Sequence, residues 1–331
     1  MEILDGADLC FPHLYNISCR KLVSPWSTVV LLHIVVSLFF LLTMALNLFV
    51  IISVSHYRQL HTPTNILLLS LAVSDFFLAL LGMPGEILQI TSCWFLGDLA
   101  CSLYVYVNYT ITCASVGDMV LISIDRYVAI CDPLHYPTRV TERRVKLVVC
   151  LCWLCSVLYN ILFLKDDLTQ RNKLNSCYGE CVYFVNHITG TIDIVITFII
   201  PVIVIIVLYM RVFVVAVSHA RAMRSDVTAV TLQLSVSQTR KSELKAARTL
   251  GVLVVVFLVC FCPYYCISIT GDDLLNSILV SIIYYLFYLN SCLNPLIYAL
   301  FYPWFRKAVK LIVTLHILKP GSCETNILHK K

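Results

Sequence analysis

Long stretches without a charged residue constrain this chain more than any other feature. No Asp, Glu, Lys or Arg occurs between Lys21 and Arg58, nor between Asp273 and Arg306. A helix of about 20 apolar residues is long enough to cross the hydrocarbon core of a bilayer. Seven such segments follow one another and predict an all-α membrane protein. The predicted spans are residues 27–55, 65–88, 102–130, 147–164, 190–217, 246–270 and 276–300.

The overall composition agrees with a membrane location. Of the 331 residues, 60% are hydrophobic and only 13% are charged, whereas a typical soluble domain has about 25% charged residues. Buried helices of a soluble protein are the alternative interpretation, and seven apolar segments in a row argue against it. We find no internal repeat typical of a transporter and no catalytic pair within the spans, so we predict neither a transporter nor an intramembrane enzyme.

The distribution of charge predicts the orientation. With the N-terminus outside, 19 of the 24 Lys and Arg residues lie on the cytoplasmic side, as the positive-inside tendency requires. Ten acidic residues lie outside, and three lie within the spans: Asp75, Asp118 and Asp193. This topology excludes nucleic acid as a partner. The acidic N-terminal segment lacks an apolar core, so we expect no cleavable signal peptide and expect the first span to direct insertion.

We divide the chain into four parts on this basis. The segment FYPWFRKAVKLIVTL after the last span is amphipathic and basic, which is typical of a helix that lies on membrane lipid. The parts are an extracellular N-terminal segment (1–26), a seven-helix domain (27–300), an amphipathic eighth helix (301–316) and a cytoplasmic tail (317–331).

The outer side carries marks of an extracellular environment. Asn16-Ile-Ser is an acceptor sequence for glycosylation. Cysteines on this side are candidates for disulfides, whose connectivity spacing alone does not reveal. They are Cys10, Cys19, Cys101, Cys177 and Cys181, with Cys93 close to the membrane boundary.

Asp193 is the most unusual residue of the fifth span. A charge at membrane depth costs about 2.5–3.5 kcal/mol on insertion scales, so an acid there usually has a function and a partner. Asp193 precedes Pro201 by eight residues, which places it about 12 Å farther outward, in the outer half of the helix. The outer spans offer no basic partner. Asp193 is therefore a candidate functional residue in need of a partner; the alternative is a protonated acid bonded to a hydroxyl such as Thr197.

Short motifs recur at fixed positions of the spans. Each motif is weak alone, but together, in order and at the proper helix ends, they are specific. The chain resembles rhodopsin-like G-protein-coupled receptors along essentially its whole length. The motifs are LAVSD ending at Asp75, Asp125-Arg126-Tyr127, Trp153, FLVCFCP ending at Pro263 and NSCLNPLIY at 290–298.

Longer segments narrow the resemblance. They are similar to trace amine-associated receptors, a family of amine detectors used largely in olfaction. The segments are SIDRYVAICDPLHYPTRVT (123–141), KSELKAARTLG (241–251), FYPWFRKA (301–308) and the pair Cys177-Tyr-Gly-Glu-Cys181. The resemblance implies a small amine as ligand and a stimulatory-type heterotrimeric G protein that raises cAMP. A rhodopsin-like receptor for a non-amine ligand, with Asp193 as a structural acid, is the alternative.

The chain departs from the usual amine-receptor pattern at one position. In that pattern an aspartate seven residues after the disulfide cysteine of the third span binds the ammonium. Here Cys101 leads to Asn108, which carries no charge. A branch of the family abundant in fish instead has an aspartate eight residues before the fifth-span proline, and Asp193 matches it. The resemblance therefore implies that a ligand ammonium pairs with Asp193.

Aromatic residues complete the predicted ligand site. Tyr284 and Tyr288 are four apart and so share one helix face, and a cation over such rings gains roughly 0.5–2 kcal/mol. Phe261 stands two residues before Pro263, where many receptors have tryptophan. The predicted ligand-binding set is Asp193, Asn108, Tyr109, Thr112, Thr197, Phe261, Tyr264, Tyr265, Tyr284 and Tyr288.

The resemblance also implies an ion site and a signalling set. Asp75 matches the rhodopsin-like sodium site with Ser115, Asn290, Ser291 and Asn294, although a water cluster would need the same residues. No other cofactor is expected. Asp118 lies deeper, where we expect a bond to Ser70 or Trp153 between helices. The signalling residues implied are Asp125, Arg126, Tyr127, Tyr209, Glu243 and Tyr298, in which Arg126 pairs with Asp125 and, across to the sixth span, with Glu243.

The family pattern implies two outer disulfides. One joins Cys101 to Cys177 and holds the second extracellular loop over the site. The other joins Cys19 to Cys181 and ties the N-terminus to the same loop. Cys177 and Cys181 can exchange roles, and Cys10 can replace Cys19, because spacing does not decide connectivity.

Overall fold

A bundle of seven long helices dominates the computed structural model, which describes residues 7–14, 18–22, 26–91, 93–170, 179, 181, 187–225, 233–270 and 277–327. The predicted seven-helix class is confirmed. Two spans are interrupted by a π-helical turn. The spans are the first (Trp26–His56), second (Pro63–Phe77, π turn Leu78–Gly82, Met83–Thr91), third (Gly97–Cys131), fourth (Glu142–Gln170), fifth (His187–Ile194, π turn Val195–Ile199, Ile200–Ser225), sixth (Gln233–Thr270) and seventh (Ser277–Phe301).

The third span is the centre of the bundle. It packs against the second, fourth, fifth and sixth spans, so residues on its different faces reach different parts of the interior. Asn47 links the first span to the seventh, because its Nδ2 donates to the Ser291 carbonyl at 2.9 Å. The outward faces expose large apolar side chains, such as Leu31 and Leu162, as expected of helices whose surroundings are lipid.

The two π turns change which side chains face inward. A π turn carries i→i+5 hydrogen bonds and adds about one residue to the helix. Because each residue turns an α-helix by about 100°, the residues beyond the insertion are rotated by that amount relative to an uninterrupted helix. One turn, Leu78–Gly82, precedes Glu86, and the other, Val195–Ile199, follows Asp193 directly. Both acids therefore lie next to a break in helical register.

The eighth helix, Pro303–Val313, lies within the predicted amphipathic segment 301–316. Trp304, Phe305 and Ala308 form its buried face. Arg306 donates from Nη1 to the carbonyls of Ala299 and Leu300 at 2.7 and 2.9 Å, satisfying acceptors that the end of the seventh span leaves open. Short helices occur at Pro12–Leu14, Arg58–Leu60, Tyr136–Arg139, His316–Leu318 and Ser322–Glu324.

The N-terminal segment contains a small sheet that the all-α expectation did not include. Strand β1 (Ala7–Leu9) pairs antiparallel with β2 (Arg20–Leu22). The pairing extends one step further, because the Cys10 amide donates to the Cys19 carbonyl at 2.9 Å. The hairpin therefore holds two cysteines next to each other above the bundle. Asn16, the predicted glycosylation acceptor, lies outside the described residues.

Both predicted disulfide pairings are wrong. Cys101 is bonded to Cys181, with the Cα atoms 5.6 Å apart, so Cys101 does not pair with Cys177 and Cys19 does not pair with Cys181. For Cys101, the exchange between Cys177 and Cys181 that spacing left open is observed. The backbone explains it: Trp94 donates from its amide to the Gly179 carbonyl at 2.9 Å, and this contact brings the following loop residues over the third span. Cys177 lies outside the described residues.

A disulfide that sequence reasoning did not propose joins Cys10 to Cys93, with the Cα atoms 5.7 Å apart. The hairpin supplies the reason, because it carries Cys10 to the loop between the second and third spans. Cys19 is also in a disulfide, and its partner lies outside the described residues. The N-terminal segment is thus tied covalently to the outer end of the bundle.

We expect Cys10→Ser and Cys93→Ser to destabilise the receptor by the same amount, about 2–4 kcal/mol, because either change opens the same loop. Each single variant exposes one thiol, which a membrane-impermeant maleimide labels on intact cells above the wild-type level. The double variant serves as the control: it shows no added labelling and no further loss in thermal unfolding. Unequal destabilisation by the single variants, or a larger loss in the double variant, would contradict the pairing.

Candidate functional site

Asp193 is a buried acid in the outer half of the fifth span, with 8% of its surface exposed. Its Oδ1 accepts a hydrogen bond from the Tyr159 hydroxyl at 2.7 Å. Thr197, which we considered as its partner, instead donates to the Asp193 backbone carbonyl at 2.8 Å. Among the described residues no cationic side chain contacts the carboxylate. The acid is therefore held by one neutral donor and has no internal counter-charge there.

Tyr159 is a site residue that sequence reasoning missed. It lies in the fourth span and stacks on Phe163 at 5.9 Å between ring centroids. Tyr109 of the third span contacts the same Phe163 ring at 6.2 Å, so this predicted residue lies on the fourth-span side of the site. A tyrosine in an apolar helix carries no pattern that distinguishes this role, and only the fold brings it to Asp193.

Asn108 faces the second span. Its Nδ2 donates to the Tyr104 carbonyl at 2.9 Å, while its Oδ1 is buried and makes no hydrogen bond to the described residues. A Cβ at Gly82 would lie 2.5 Å from that oxygen, so the two spans approach closely because residue 82 is glycine. Asn108 thus contacts the second span whereas Asp193 contacts the fourth. Thr112 lies one turn deeper than Asn108 and is half-buried.

Aromatic rings connect the fifth span to the seventh. Phe198 stacks on Tyr265 at 4.0 Å, and Tyr265 meets Tyr264 at 5.3 Å. Tyr264 then contacts Phe287 at 4.8 Å, and Phe287 contacts Tyr288 at 5.5 Å. We call these five residues the aromatic row. Three of them were predicted; Phe198 and Phe287 were not.

Two further predicted aromatics flank the row. Tyr284 meets Tyr264 edge to face at 5.5 Å. Phe261 is 2% exposed and lies against Phe287 at 4.7 Å and Phe257 at 4.5 Å. The phenyl ring therefore occupies the sixth-span position where an indole was expected from the family pattern, and it is fully packed there.

The position of Glu86 corrects our assignment of the acidic residues to the extracellular side or to the spans. We counted its charge on the extracellular side although the predicted span 65–88 contains it, and in the structure it lies in the second span, within the helix Met83–Thr91. Its Oε1 accepts from the Tyr104 hydroxyl at 3.1 Å and from the Tyr288 hydroxyl at 3.3 Å. The π turn at Leu78–Gly82 rotates this helix and so changes which way Glu86 faces, which position along the chain alone does not show. The outer bundle therefore contains a second carboxylate.

A polar cluster lies deeper, around Asp75. All five residues of the predicted ion site are buried: Asp75, Ser115, Asn290, Ser291 and Asn294. Asn294 donates from Nδ2 to Asp75 Oδ2 at 2.7 Å. The other carboxylate oxygen, Asp75 Oδ1, and the side-chain oxygens of Asn290 and Asn294 are buried and accept no hydrogen bond from the described residues. Asn290 Nδ2, a donor, is likewise unpaired among the described residues. The cluster therefore holds several unpaired oxygen acceptors, which suit a hard cation, together with one unpaired donor.

Asp118 behaves as predicted. Ser70 donates from its hydroxyl to Asp118 Oδ2 at 2.8 Å, and Trp153 donates from Nε1 to the same Ser70 oxygen at 3.0 Å. The three residues come from the third, second and fourth spans and link them in a chain. Asp118 is completely buried, and its prediction as an interhelical contact is confirmed.

Arg126 lies in a closed polar network at the cytoplasmic end. Its Nη2 contacts Asp125 Oδ2 at 2.6 Å and Thr64 Oγ1 at 2.5 Å. Tyr136, in the loop after the third span, donates its hydroxyl to Asp125 Oδ1 at 2.8 Å. Burial, and then the neighbouring Asp125 carboxylate, raise the pKa of Tyr136 to about 12, so the phenol keeps its proton and remains a donor.

The other signalling residues lie around this network. Tyr127 packs against the buried pair Ile130 and Val212. The hydroxyls of Tyr209 and Tyr298 are buried and make no hydrogen bond to the described residues, which leaves both able to take new partners if the spans move. The side chain of Glu243, the predicted partner of Arg126 on the sixth span, lies outside the described residues.

Comparison with known proteins finds relatives that are similar to nearly the whole chain. Residues 46–298 match the family of 7 transmembrane receptors (rhodopsin family). The chain is 37% identical to trace amine-associated receptor 5 of Rattus norvegicus, over 96% of this chain and 95% of that protein. It is 35% identical to trace amine-associated receptor 13c of Danio rerio (98% and 97%) and 36% identical to trace amine-associated receptor 1 of Mus musculus (94% and 97%).

Proposed function

The chain belongs to the trace amine-associated receptors of the rhodopsin family, and on that premise we propose that it detects small amines through Asp193. It is a multi-pass plasma-membrane receptor and not an enzyme, with a small-molecule ligand and a G protein as partners. The finer proposal is that a ligand ammonium binds the Asp193 carboxylate, and that the receptor serves in olfaction.

The surroundings of Asp193 are the observation that carries this proposal. A buried carboxylate without a counter-charge is costly, yet within the described part of the chain the Tyr159 hydroxyl is the one side-chain donor to it. A primary ammonium supplies both the missing charge and up to three donors. The aromatic row begins on the same span, at Phe198, and offers ring faces that favour a cation.

A panel of primary, secondary and tertiary amines, applied to cells that express the receptor with a cAMP reporter, tests the proposal. Each amine is matched with the alcohol of the same carbon skeleton, which keeps the shape and removes the cation. We expect activation by one or more amines and none by the matched alcohols. Equal activation by an alcohol would overturn the ammonium assignment.

One contact favours a second candidate function. The Tyr159–Asp193 hydrogen bond also suits a neutral, structural acid that ties the fourth span to the fifth. The receptor would then bind a non-amine ligand. Surface expression separates the two: a structural acid predicts that both Tyr159→Phe and Asp193→Asn reduce folded receptor at the membrane, whereas the anchor predicts that only ligand potency falls with Asp193→Asn.

We assign the G protein partner to the stimulatory type, which raises cAMP. Support comes from the family alone, because the contacts of the cytoplasmic network do not distinguish G-protein classes. The panel is therefore run with calcium and cAMP reporters side by side. Calcium release without a cAMP change in cells that contain both pathways would assign a different G protein.

Sodium at Asp75 is a separate proposal. The buried acceptors of Asp75, Asn290 and Asn294 fit a small hard cation, whose charge would balance the carboxylate. These residues would hold the ion between the second and seventh spans, which restrains movement of one relative to the other. An ion bound to the resting arrangement opposes any ligand that favours a different one.

We expect agonist affinity to fall when sodium replaces choline at constant ionic strength, by about five-fold or more, the usual lower range of coupling between two sites. Asp75→Asn should remove this sodium dependence, measured by competition binding. Asp118→Asn is the matched control, since it neutralises the neighbouring buried acid and should retain the dependence. The same sodium response in Asp75→Asn and the wild type would place the ion elsewhere.

A further inference from the structure

Residues 316–327, which we call the tail segment, fold back onto the cytoplasmic face. Leu315, just after the eighth helix, has a left-handed backbone with φ 56°, a conformation that a bulky residue keeps only where other contacts hold it. Gly321 makes a second left-handed turn, with φ 75°. Lys307 of the eighth helix then donates from Nζ to the Asn326 carbonyl at 2.6 Å. The tail segment therefore returns alongside the eighth helix toward the beginning of that helix.

Ile327 anchors the tail segment. Of the described residues that follow the eighth helix, it alone is buried, with 3% of its surface exposed. It belongs to the main hydrophobic cluster of the bundle, which also contains Tyr57 and Phe305. Its amide donates to Gln59 Oε1 at 3.1 Å, and Gln59 lies in the short helix Arg58–Leu60 of the first cytoplasmic loop. The side chain and the backbone of Ile327 are thus both held at this loop.

Ser322 forms a second attachment, to the inner end of the first span. Its hydroxyl donates to the Ile317 carbonyl at 2.7 Å. A hydroxyl has one proton, so in the contact with His56 Nε2 at 2.9 Å the ring nitrogen is the donor. The pair Arg58–Glu324 is exposed on both sides and 3.9 Å apart, and a surface pair of this kind adds little. Buried and half-buried contacts, rather than surface charge, hold the segment.

The docked segment joins the seventh span to the first at their cytoplasmic ends. Arg306 donates to the carbonyls of Ala299 and Leu300, which fixes the eighth helix to the end of the seventh span. The next residue, Lys307, binds the tail segment, and the tail segment binds the first cytoplasmic loop. A shift of the inner end of the seventh span relative to the first must therefore strain or break this link.

We propose that the groove between the first cytoplasmic loop and the eighth helix is a binding surface for the receptor's own tail segment, and that the docked segment restrains the seventh span in its resting position. A short tether keeps the segment near the groove at an effective concentration of roughly millimolar, which favours the docked form. Release of the segment removes a contact made in the resting arrangement and so favours the active one. The inference goes beyond the proposed function and holds for any ligand.

Hydrogen exchange of the full-length receptor in lipid nanodiscs tests the docking. Ile327→Asp places a charge in the buried position. It should raise exchange of the tail segment, corrected for the intrinsic rate of each sequence, by about ten-fold or more, because burial of an aliphatic side chain contributes at least that factor. Gln59→Ala removes the acceptor from the loop side and should act in the same direction. Two controls should keep the wild-type protection: Leu318→Asp, at a position 77% exposed, and Ile327→Val, which keeps a buried aliphatic group.

Binding of radiolabelled GTPγS to membranes without ligand, normalised to surface receptor, tests the restraint. We expect Ile327→Asp and Gln59→Ala to raise basal nucleotide exchange about five-fold, the lower range of coupling between two sites, and both controls to match the wild type. An unfolded receptor loses nucleotide exchange, so a rise cannot come from misfolding. If Ile327→Asp reaches the surface poorly, Gln59→Ala, which leaves the tail intact, decides.

A tail segment that exchanges as fast in the wild type as in Ile327→Asp would overturn the docking. Equal effects of Leu318→Asp and Ile327→Asp would do the same. Release of the segment with unchanged or lower nucleotide exchange would overturn the restraint. Because neither measurement uses a ligand, failure here leaves the Asp193 proposal standing, and failure of the Asp193 proposal leaves this one standing.

Discussion

Asp193→Asn is expected to lower the potency of an activating amine by about 30-fold or more. The substitution keeps the size of the side chain and its capacity to accept a hydrogen bond from Tyr159, but it removes the charge. Truncating one partner of a buried charge pair costs roughly 2–5 kcal/mol, and about 1.4 kcal/mol corresponds to a factor of ten. Dose–response curves in the cAMP assay, normalised to surface receptor, measure the change.

Tyr159→Phe is the informative control for that result. It removes the single donor to the carboxylate and keeps the ring that stacks on Phe163. A hydrogen bond to a charged group contributes about 1.5–3 kcal/mol, and the ammonium offers replacement donors, so we expect a smaller loss of potency than with Asp193→Asn. An activating ligand without positive charge that is indifferent to Asp193→Asn would leave this residue as a structural acid.

The spans and their order could be predicted from the sequence because the membrane imposes a strong physical requirement. A chain that crosses hydrocarbon must satisfy its backbone hydrogen bonds internally and avoid charge, and this leaves uncharged helical runs that can be counted. The same argument identified Asp118 as a residue in need of a partner, and Ser70 is that partner. Rules of this kind depend on composition and spacing, which the sequence displays directly.

Glu86 and Tyr159 show where such reasoning stops. The sequence does not reveal that residues 78–82 form a π turn. One added residue rotates everything beyond it, so the direction in which Glu86 faces could not be predicted although the predicted span contained it. Tyr159 depends on the packing of the fourth span against the fifth, for which an apolar helix gives no spacing rule. Neither residue could be recognised as part of the site before the fold was known.

The prediction of the disulfide pairings was wrong for a different reason. Several outer cysteines allow many pairings, and the choice depends on the short hairpin that carries Cys10 to Cys93 and on the contact between Trp94 and Gly179. Three-residue strands are too short to be predicted from alternation of residue type. The family pattern named a loop correctly but assigned the wrong cysteine of that loop to Cys101.

The second large effect is expected at the cytoplasmic end, where Arg126→Ala should abolish ligand-stimulated cAMP while the receptor still reaches the surface. Arg126 is 4% exposed and lies in the network with Asp125 and Thr64. A change of conformation that separates the cytoplasmic ends would release the guanidinium to contact the G protein. Removing it leaves the ligand site in the outer half of the bundle unaltered, so ligand binding should persist.

Asp125→Asn tests the same network from the other side, because it keeps the shape of the side chain but weakens its hold on Arg126. The Tyr136 hydroxyl donates to Asp125 Oδ1 and can donate to the amide oxygen as well, so the loop contact survives. Since only the restraint on the resting state is reduced, we expect higher cAMP without ligand, in contrast to the silent Arg126→Ala. If both substitutions silenced the receptor at normal surface expression, the pair would be needed for the active state itself, and its assignment as a restraint on the resting state would be wrong.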